Sequence, residues 1–431
     1  MTAAETFADW ALSLRLDDVP EGTRHAAKRH LLDGIGCALA GEAPYATVLA
    51  VGEPEATVLG TQMRAPAPLV ALANGALVHA LDYDDTHAAA LVHATAAVLP
   101  TAFAVGEQMG ADGADVLTGA IAGYEVVTRL GMPVAHGFHA HGFHATSVCG
   151  VFASALIAAR LMGLDARATT NALGIAGSVA AGSLEFLNTG SPTKQLHPGL
   201  AAMNGITAAR LAAAGAEGPA TIFEGPHGLY RSYLGHDVDA ATLTDALGER
   251  WETTRITIKP YPCCQLSHAS LDSLRAAGSF EPDDIDLIVF EVPHGVSSIV
   301  GDKRAPRTPY EGKFSLEYCA AALMCDGDLT VSSFGPNELA RAQVFAVADR
   351  IVWHDRAFDG PPADAPGICE VRLRDGTLLR GEVAKSRGGP DLPLSDDEVL
   401  AKFRANGGED GLAGAIMRLD EQASIAEVLA W

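Results

Sequence analysis

Up to about Leu247, apolar residues recur at helical spacing in one segment after another. Pro20 opens one predicted helix at a first-turn position and Gly41 closes it. Thr146 is placed to cap another that runs to Gly163, and Pro198 opens a third that stops at Gly215. Alanine and glycine fill many inward positions, which predicts closely packed helices. Beyond Trp251 the period changes. Short runs with β character occur at Thr254 to Ile258, Leu287 to Val292 and Arg350 to Trp353, and Asp375-Gly376 marks a hairpin turn within Cys369 to Val383. Helical patterning returns at Ser395, where Ser395 and Glu398 form a capping box ahead of Val399, Leu400 and Phe403. The simplest architecture is mainly α. A large all-α helical domain is formed by both chain ends, residues 1–250 and 394–431, and a smaller α+β lid domain is inserted at 251–393.

Composition narrows the function classes. With 431 residues, 48% of them hydrophobic and 45 of them glycine, the chain is neither disordered nor fibrous. Its 53 acidic residues outnumber 30 Lys and Arg, a formal charge of −23, which excludes a nucleic-acid partner for want of a basic surface. An anionic small substrate is not excluded, because a local cationic pocket can sit inside an acidic protein. The seven cysteines are scattered, with only Cys263 and Cys264 adjacent, so no disulfide framework or zinc-type CxxC pair is expected. The first residues, MTAAETFADW, lack a basic region followed by an apolar one. A cytoplasmic protein is expected. The apolar stretches Ala88 to Val105 and Ser147 to Ala159 are interrupted or short and Ala-rich, and read as buried helices rather than membrane spans.

Histidine is clustered. His79, His87, His93, His136, His139, His141 and His144 hold seven of the fifteen within 66 residues. In HALDYDDTHAAALVHAT, Asp82, Asp84 and Asp85 stand beside Thr86, His87 and His93, a mixture that suits metal ligation or general acid-base catalysis. Taken alone, the Asp-Asp-Thr run reads better as a solvated loop whose aspartates cap the next helix. In HGFHAHGFHATS, His144 falls beside a helix N-terminus, where unpaired N–H groups favour an anion. Lys194 in SPTKQLHPG precedes the helix opened by Pro198, with His197 at its cap, and His268 in KPYPCCQLSHASLDSL falls in or just before the first turn of a helix ending near Gly278. Three cationic or protonatable groups near helix N-termini suit a polycarboxylate site. Lys194 serves as a base only if burial or neighbouring positive charge lowers its basicity. The glycine-rich GIAGSVAAGSLEF has no phosphate-loop spacing and is expected to serve close helix packing. Cys263 and Cys264 read as buried structural thiols.

HALDYDDTH, GFHATSVCGVFASALIAARLMGLD, NALGIAGSVAAGSLEF, TKQLHPGLAA, IFEG, KPYPCCQLSH and EGKFSLEY resemble, in order, the signature blocks of the MmgE/PrpD family, from about Thr23 to Phe403. The resemblance implies a large helical domain with a smaller α+β lid, a homodimer, and catalysis with no metal or organic cofactor. Members include 2-methylcitrate dehydratases, cis-aconitate decarboxylases and iminodisuccinate epimerases. The family's active-site positions fall on Asp82, Thr86, His93, His144, Lys194 and His268. Two departures stand out: His93-Ala94-Thr95 replaces a common His-Pro-Ser, and His144 stands where epimerases can carry Tyr.

The expectation is a cofactor-independent lyase acting on a small di- or tricarboxylate. A 2-methylcitrate dehydratase-like hydro-lyase leads, ahead of a cis-aconitate decarboxylase-like carboxy-lyase and an iminodisuccinate epimerase-like isomerase. Each reaction builds negative charge beside a carboxylate, and preorganised positive groups lower that barrier. Lys194, His144 and helix N-termini are expected to bind carboxylates, with Thr86 hydrogen-bonding one. His93 or His268 transfers the proton and Asp82 orients a histidine. A rival class, a metal-dependent hydrolase, would draw ligands from His79, Asp82, Asp84, Asp85, His87 and His93 but lacks an ordered ligand spacing. A noncatalytic scaffold is disfavoured by the presence of all six site residues. Lys303, Arg304, Lys313 and Tyr318 are the lid residues expected to shape substrate choice.

Overall fold

The computed structural model describes residues 1–134, 136–301, 303–359 and 362–429, and the chain divides into two compact units. The first comprises Met1–Ala80, Asp84–Ile256 and Ser395–Trp431, and the second Leu81–Tyr83 with Thr257–Leu394.

The first unit is built around the helices Ala67–His79, Thr95–Met109, Gly113–Gly131, Ala145–Leu161 and His197–Ala213. The first four are buried on almost every side, whereas His197–Ala213 keeps an exposed side at Leu200, Thr207 and Leu211. Small residues let their backbones approach. A Cβ on Gly75 would stand 2.5 Å from the Cα of Gly199, and one on Gly205 would collide with Ser154. Both chain ends contribute. The helix Asp396–Ala405 begins with the expected capping box, in which Ser395 Oγ accepts from the Glu398 N–H and the Glu398 carboxylate accepts from the Ser395 N–H. It is fastened to the helix Glu21–Ala40 by Lys402 Nζ, 2.6 Å from Asp33 Oδ1, with both side chains nearly inaccessible to water. Burial pushes the Asp33 carboxyl up to about 6 against the pull of Lys402.

This unit is not all-α, which corrects the fold expected from the pattern. It contains a two-stranded antiparallel ladder, β1 (Ala56–Thr57) and β2 (Arg64–Ala65). Two residues per strand are too few to show an alternation, and polar groups hold the ladder instead. Glu107 accepts from the Thr57 N–H at 2.6 Å and its hydroxyl at 2.8 Å, and Asn74 bonds the Leu59 N–H and the Thr57 carbonyl.

The second unit carries a mixed four-stranded sheet in the order β4-β3-β5-β6, formed by β3 (Ile285–Pro293), β4 (Ile351–Arg356), β5 (Gly367–Leu373) and β6 (Leu378–Val383). β3 runs parallel to β4 and antiparallel to β5, which pairs with β6 through the Asp375-Gly376 turn. Gly376 takes φ +90°, and the Asp375 carboxylate accepts from the Thr377 N–H at 2.9 Å. The helix His268–Ala276 lies on β5 and β6, where side chains at Gly367 and Gly381 would collide with the carbonyls of Ala269 and Ser273. With the helices Leu316–Asp326 and Ala342–Ala348, the sheet encloses its own apolar core, including Ile288, Phe290, Tyr318 and Val371. The second unit is thus self-contained, with a mixed sheet and an apolar core of its own.

Three local expectations also change. Thr254 to Ile258 is no strand, because Glu252–Arg255 forms a 3-10 turn whose N–H groups at Glu252 and Thr253 are taken by the Glu125 carboxylate. Thr146 lies inside the first turn of its helix, and His144 occupies the cap position. His197 begins its helix rather than capping it. Among the described residues no helix is long and apolar enough to cross a membrane.

Replacing Lys402 with Met would leave the Asp33 carboxylate buried without that partner. We expect a loss of about 3–5 kcal/mol, read as a lower urea midpoint by circular dichroism. An unchanged midpoint would show that the pair does not secure the C-terminal helix.

Candidate active site

The Ala67–His79 helix ends on a histidine whose ring is fully buried, and the chain then turns back on itself. The His87 N–H bonds the Val92 carbonyl and the Leu91 N–H bonds the His87 carbonyl, with Leu91 at φ +53°, a conformation that costs a non-glycine residue energy. This tight return brings Asp84, Asp85 and Thr86 beside His93. His79 Nδ1 lies 2.8 Å and 3.0 Å from the two oxygens of Asp84, neither side chain having any exposure. His93 Nδ1 lies 2.9 Å from the Asp85 carbonyl and 3.1 Å from Thr86 Oγ1, and its backbone N–H donates to Thr146 Oγ1. Because a carbonyl only accepts, His93 carries its proton on Nδ1.

His144 is held from the other side. Its N–H bonds the Gly182 carbonyl at 2.8 Å, and the Leu184 N–H bonds the Gly142 carbonyl. Gly182, at φ +125°, passes so close that a Cβ would stand 2.8 Å from Ser147 Cβ. The glycine-rich segment thus braces His144, as well as allowing close packing. His144 Nδ1 is 3.1 Å from His197 Nδ1.

The rings of His79, His93 and His144 have centroids 4.7, 5.8 and 6.0 Å apart, and one nitrogen from each lies within 4.8 Å of the others. His139 and His197 flank His144 at 5.8 and 5.2 Å. Lys194 belongs to the 3-10 turn Pro192–Leu196 that leads into the His197–Ala213 helix. A cleft of about 430 Å³ adjoins the cluster, lined by His197, Phe186, Ser147 and Asn204 among others.

Burial and neighbouring positive charge depress the basicity of His139, His144 and His197. Burial, then the positive charges of Lys194, His79, His139 and His93, holds His144 well below the usual imidazole range. Burial, His136 and Lys194 bring His139 down to about 4, and burial, His79 and Lys194 do the same for His197. His139, His144 and His197 are therefore neutral near pH 7 and ready to gain protons when anions enter.

Of the six expected site residues, Thr86, His93, His144 and Lys194 lie in the helical unit. Thr86 meets His93, and Lys194 acts electrostatically on His144. Asp82 and His268 belong to the second unit. Asp82, at φ +53°, receives Lys259 Nζ at its carbonyl at 2.7 Å and at Oδ1 at 3.1 Å. His268 starts its helix, with Nε2 3.2 Å from the Cys263 carbonyl and its ring against Tyr261. In the helical unit the carboxylate that orients a histidine is Asp84. From the sequence, His79 and Asp84 are expected only as ligands of the rival hydrolase or, for Asp84, as part of an acid-base or capping run, and His197 only as a helix cap, while His139 and the buried Lys259 are given no role in the site. The position of His79 at the end of an apolar helical pattern, five residues before Asp84, was the available signal.

Of the residues named for a hydrolase, His79, Asp84 and His93 lie together in the helical unit, whereas Asp85 and His87 turn to other partners. Asp85 accepts from the Thr95 N–H and hydroxyl and stands 3.1 Å from His30, while His87 faces Glu252. Among the four residues expected to shape substrate choice, Tyr318 is core, its hydroxyl bonded to the Ser333 carbonyl. Lys313 bonds the Leu81 carbonyl, Lys303 bonds the Ile299 carbonyl, and Arg304 is half-buried. Burial raises the Cys263 thiol far from reactivity, in keeping with a structural role.

Sequence comparison places these features among known proteins. The MmgE/PrpD N-terminal domain profile matches residues 5–241 and the MmgE/PrpD C-terminal domain profile matches 261–413. The cis-aconitate decarboxylase-like protein oryM of Aspergillus oryzae is 28% identical, the alignment covering 98% of this chain and 95% of that protein. Cis-aconitate decarboxylases of Aspergillus terreus and Mus musculus are 27% and 28% identical, with 93% and 94% of this chain and 88% and 86% of those proteins covered.

The depressed histidines carry a sign for stability. Between about pH 4 and pH 6.5 the unfolded chain binds protons that folded His139 and His197 refuse, so stability is lost as pH falls through that window. Asp33, with its raised value, works in the opposite direction between 3.8 and about 6. We expect His197→Asn to flatten the drop in urea midpoint between about pH 7 and about pH 5. An identical slope in variant and parent would refute the depressed basicity of His197.

Proposed function

Because this chain belongs to the MmgE/PrpD family, we propose that it is a lyase that releases carbon dioxide from a small tricarboxylate of the cis-aconitate class, with no metal or organic cofactor in the reaction. The observation that carries the reading is the buried cluster of His79, His93 and His144 with Lys194 acting on it. The names of the relatives support the choice of reaction.

In such a reaction the bond to the departing carboxylate breaks, and its electron pair stays on carbon, where a neighbouring double bond and carboxylate spread it. The remaining demand is a proton delivered to carbon. Lys194 and the N-terminus of the Ala145–Leu161 helix supply positive charge for the carboxylates that stay behind. Bound carboxylates oppose the depression imposed by burial and by Lys194, so an imidazole gains a proton as the substrate enters. His93, with Nδ1–H fixed by the Asp85 carbonyl, presents Nε2 for that transfer, and His144 shares its Nδ1 with His197. Dehydration, the leading expectation from the sequence, asks more of these groups. A leaving hydroxyl needs a standing acid, whereas His139, His144 and His197 are held neutral near pH 7. Asp82 and His268 are retained as family positions of the second unit, and the homodimer implied by the resemblance, with the cytoplasmic location expected from the scattered cysteines and the N-terminal sequence, is part of the same proposal.

Incubation with cis-aconitate, citrate, 2-methylcitrate and iminodisuccinate, followed by mass analysis, is expected to show loss of carbon dioxide from cis-aconitate. Loss of water from 2-methylcitrate as the main reaction would overturn the reading in favour of a dehydratase. His144→Ala and Lys194→Ala should keep the parent circular dichroism spectrum and lose turnover by a factor on the order of a hundred or more. A near-normal kcat in either variant would remove that residue from the mechanism.

A further inference from the structure

We propose that His79, His93 and His144 form a capture site for a divalent ion of the zinc type, and that the bound ion inhibits the enzyme. The inhibition half rests on the decarboxylase reading, and the binding half does not.

Three imidazoles with one nitrogen each inside a 4.8 Å span are a donor set suited to zinc, copper or nickel. All three are positioned through Nδ1. His79 is held by Asp84, His93 by the Asp85 carbonyl, and His144 by His197. For His79 the coordinating position is then Nε2, the arrangement in which a partner on the far nitrogen fixes the ring and strengthens the donor. A carboxylate behind a ligating imidazole is the strongest form of this support, and Asp84 provides it for His79 without any solvent exposure. The second observation is independent of ring spacing: His79 Nε2 is buried and has no hydrogen-bond partner among the described residues. A buried ring nitrogen in that state loses the hydrogen bond that water would give it, and an ion compensates that loss.

Geometry and charge set the strength. Zinc–nitrogen bonds of about 2.0–2.1 Å in a tetrahedron place nitrogens about 3.4 Å apart, so the rings must draw together from their present span. Lys194 opposes a cation, while the Asp84 carboxylate favours it. A fourth position remains for water or a carboxylate. Once the three lone pairs are on the ion they no longer move protons, which is why occupation stops turnover rather than assisting it.

The experiment is calorimetric titration of zinc chloride into chelator-treated full-length protein, with cobalt absorption as a report of tetrahedral nitrogen coordination. One site is expected, weakened tenfold or more in His79→Gln and in Asp84→Asn, and unchanged in His141→Gln, which alters an exposed ring of the neighbouring histidine run. Two supporting variants guard against one that fails to fold, and circular dichroism checks both. Zinc should suppress turnover with a midpoint matching the calorimetric constant, and chelator should restore it. Equal affinity in His79→Gln and the parent, or no zinc heat at all, would overturn the site. His79-dependent binding without any conversion of the substrate panel would sink the decarboxylase reading and leave the ion site standing.

Discussion

A carboxylate with no access to water has to be paired, and in the helical unit Asp84 meets that requirement through His79. The consequences run outward from this pair. Asp84 can be buried only where a ring nitrogen stands ready, so the end of the Ala67–His79 helix and the return that follows it are fixed relative to each other. That return in turn aims the Asp85 carbonyl and the Thr86 hydroxyl at His93. Asp85 is buried for the same kind of reason, its oxygens taken by Thr95 and faced by His30. Two neighbouring aspartates thus do different work, one orienting a ring and the other pinning the segment to the helix that starts at Thr95.

Close helix packing supplies the second constraint. Gly75 against Gly199, and Gly182 against Ser147, are approaches that no side chain would survive. They bring the end of one helix, the start of another and a glycine-rich segment within reach of the same few rings. The alanine and glycine content is therefore not neutral filler. Larger residues at these positions would separate His144 from His79, and the imidazoles would regain water and their ordinary basicity.

Much of this was legible in the sequence. Helical spacing with small inward residues announced the packed helices, the Asp375-Gly376 turn announced the β5–β6 hairpin, and Ser395 with Glu398 announced the returning helix. Signals that act through non-neighbours were not legible. The β1–β2 ladder exists because Glu107 and Asn74 reach it from distant helices, and Thr254 to Ile258 fails to form a strand because Glu125 claims its preceding N–H groups. Thr146 reads as a cap by residue type, yet its hydroxyl serves His93 while His144 takes the cap position. At the site, His144 and Lys194 stood out by their place at helix starts. His79 stood out only as one of the clustered histidines and a ligand of the rival hydrolase, because its pairing with Asp84, five residues on, depends on the chain folding back.

The formal charge of −23 and the chemistry of the site point in opposite directions, and magnitude decides which governs the substrate. At physiological salt the Debye length is about 8 Å, so exposed carboxylates further away than that contribute little at the cluster. Within the cluster, Lys194 is the standing positive charge that lowers the basicity of His144, so the local field there is positive even though the chain as a whole is strongly acidic. A positive field among neutral rings is a site that is not yet fully charged. Each carboxylate that enters lowers the cost of placing a proton on an imidazole, and each proton placed strengthens the hold on the carboxylates. Substrate binding and acid formation thereby become one event, so the proton that carbon requires appears only when there is a substrate to receive it.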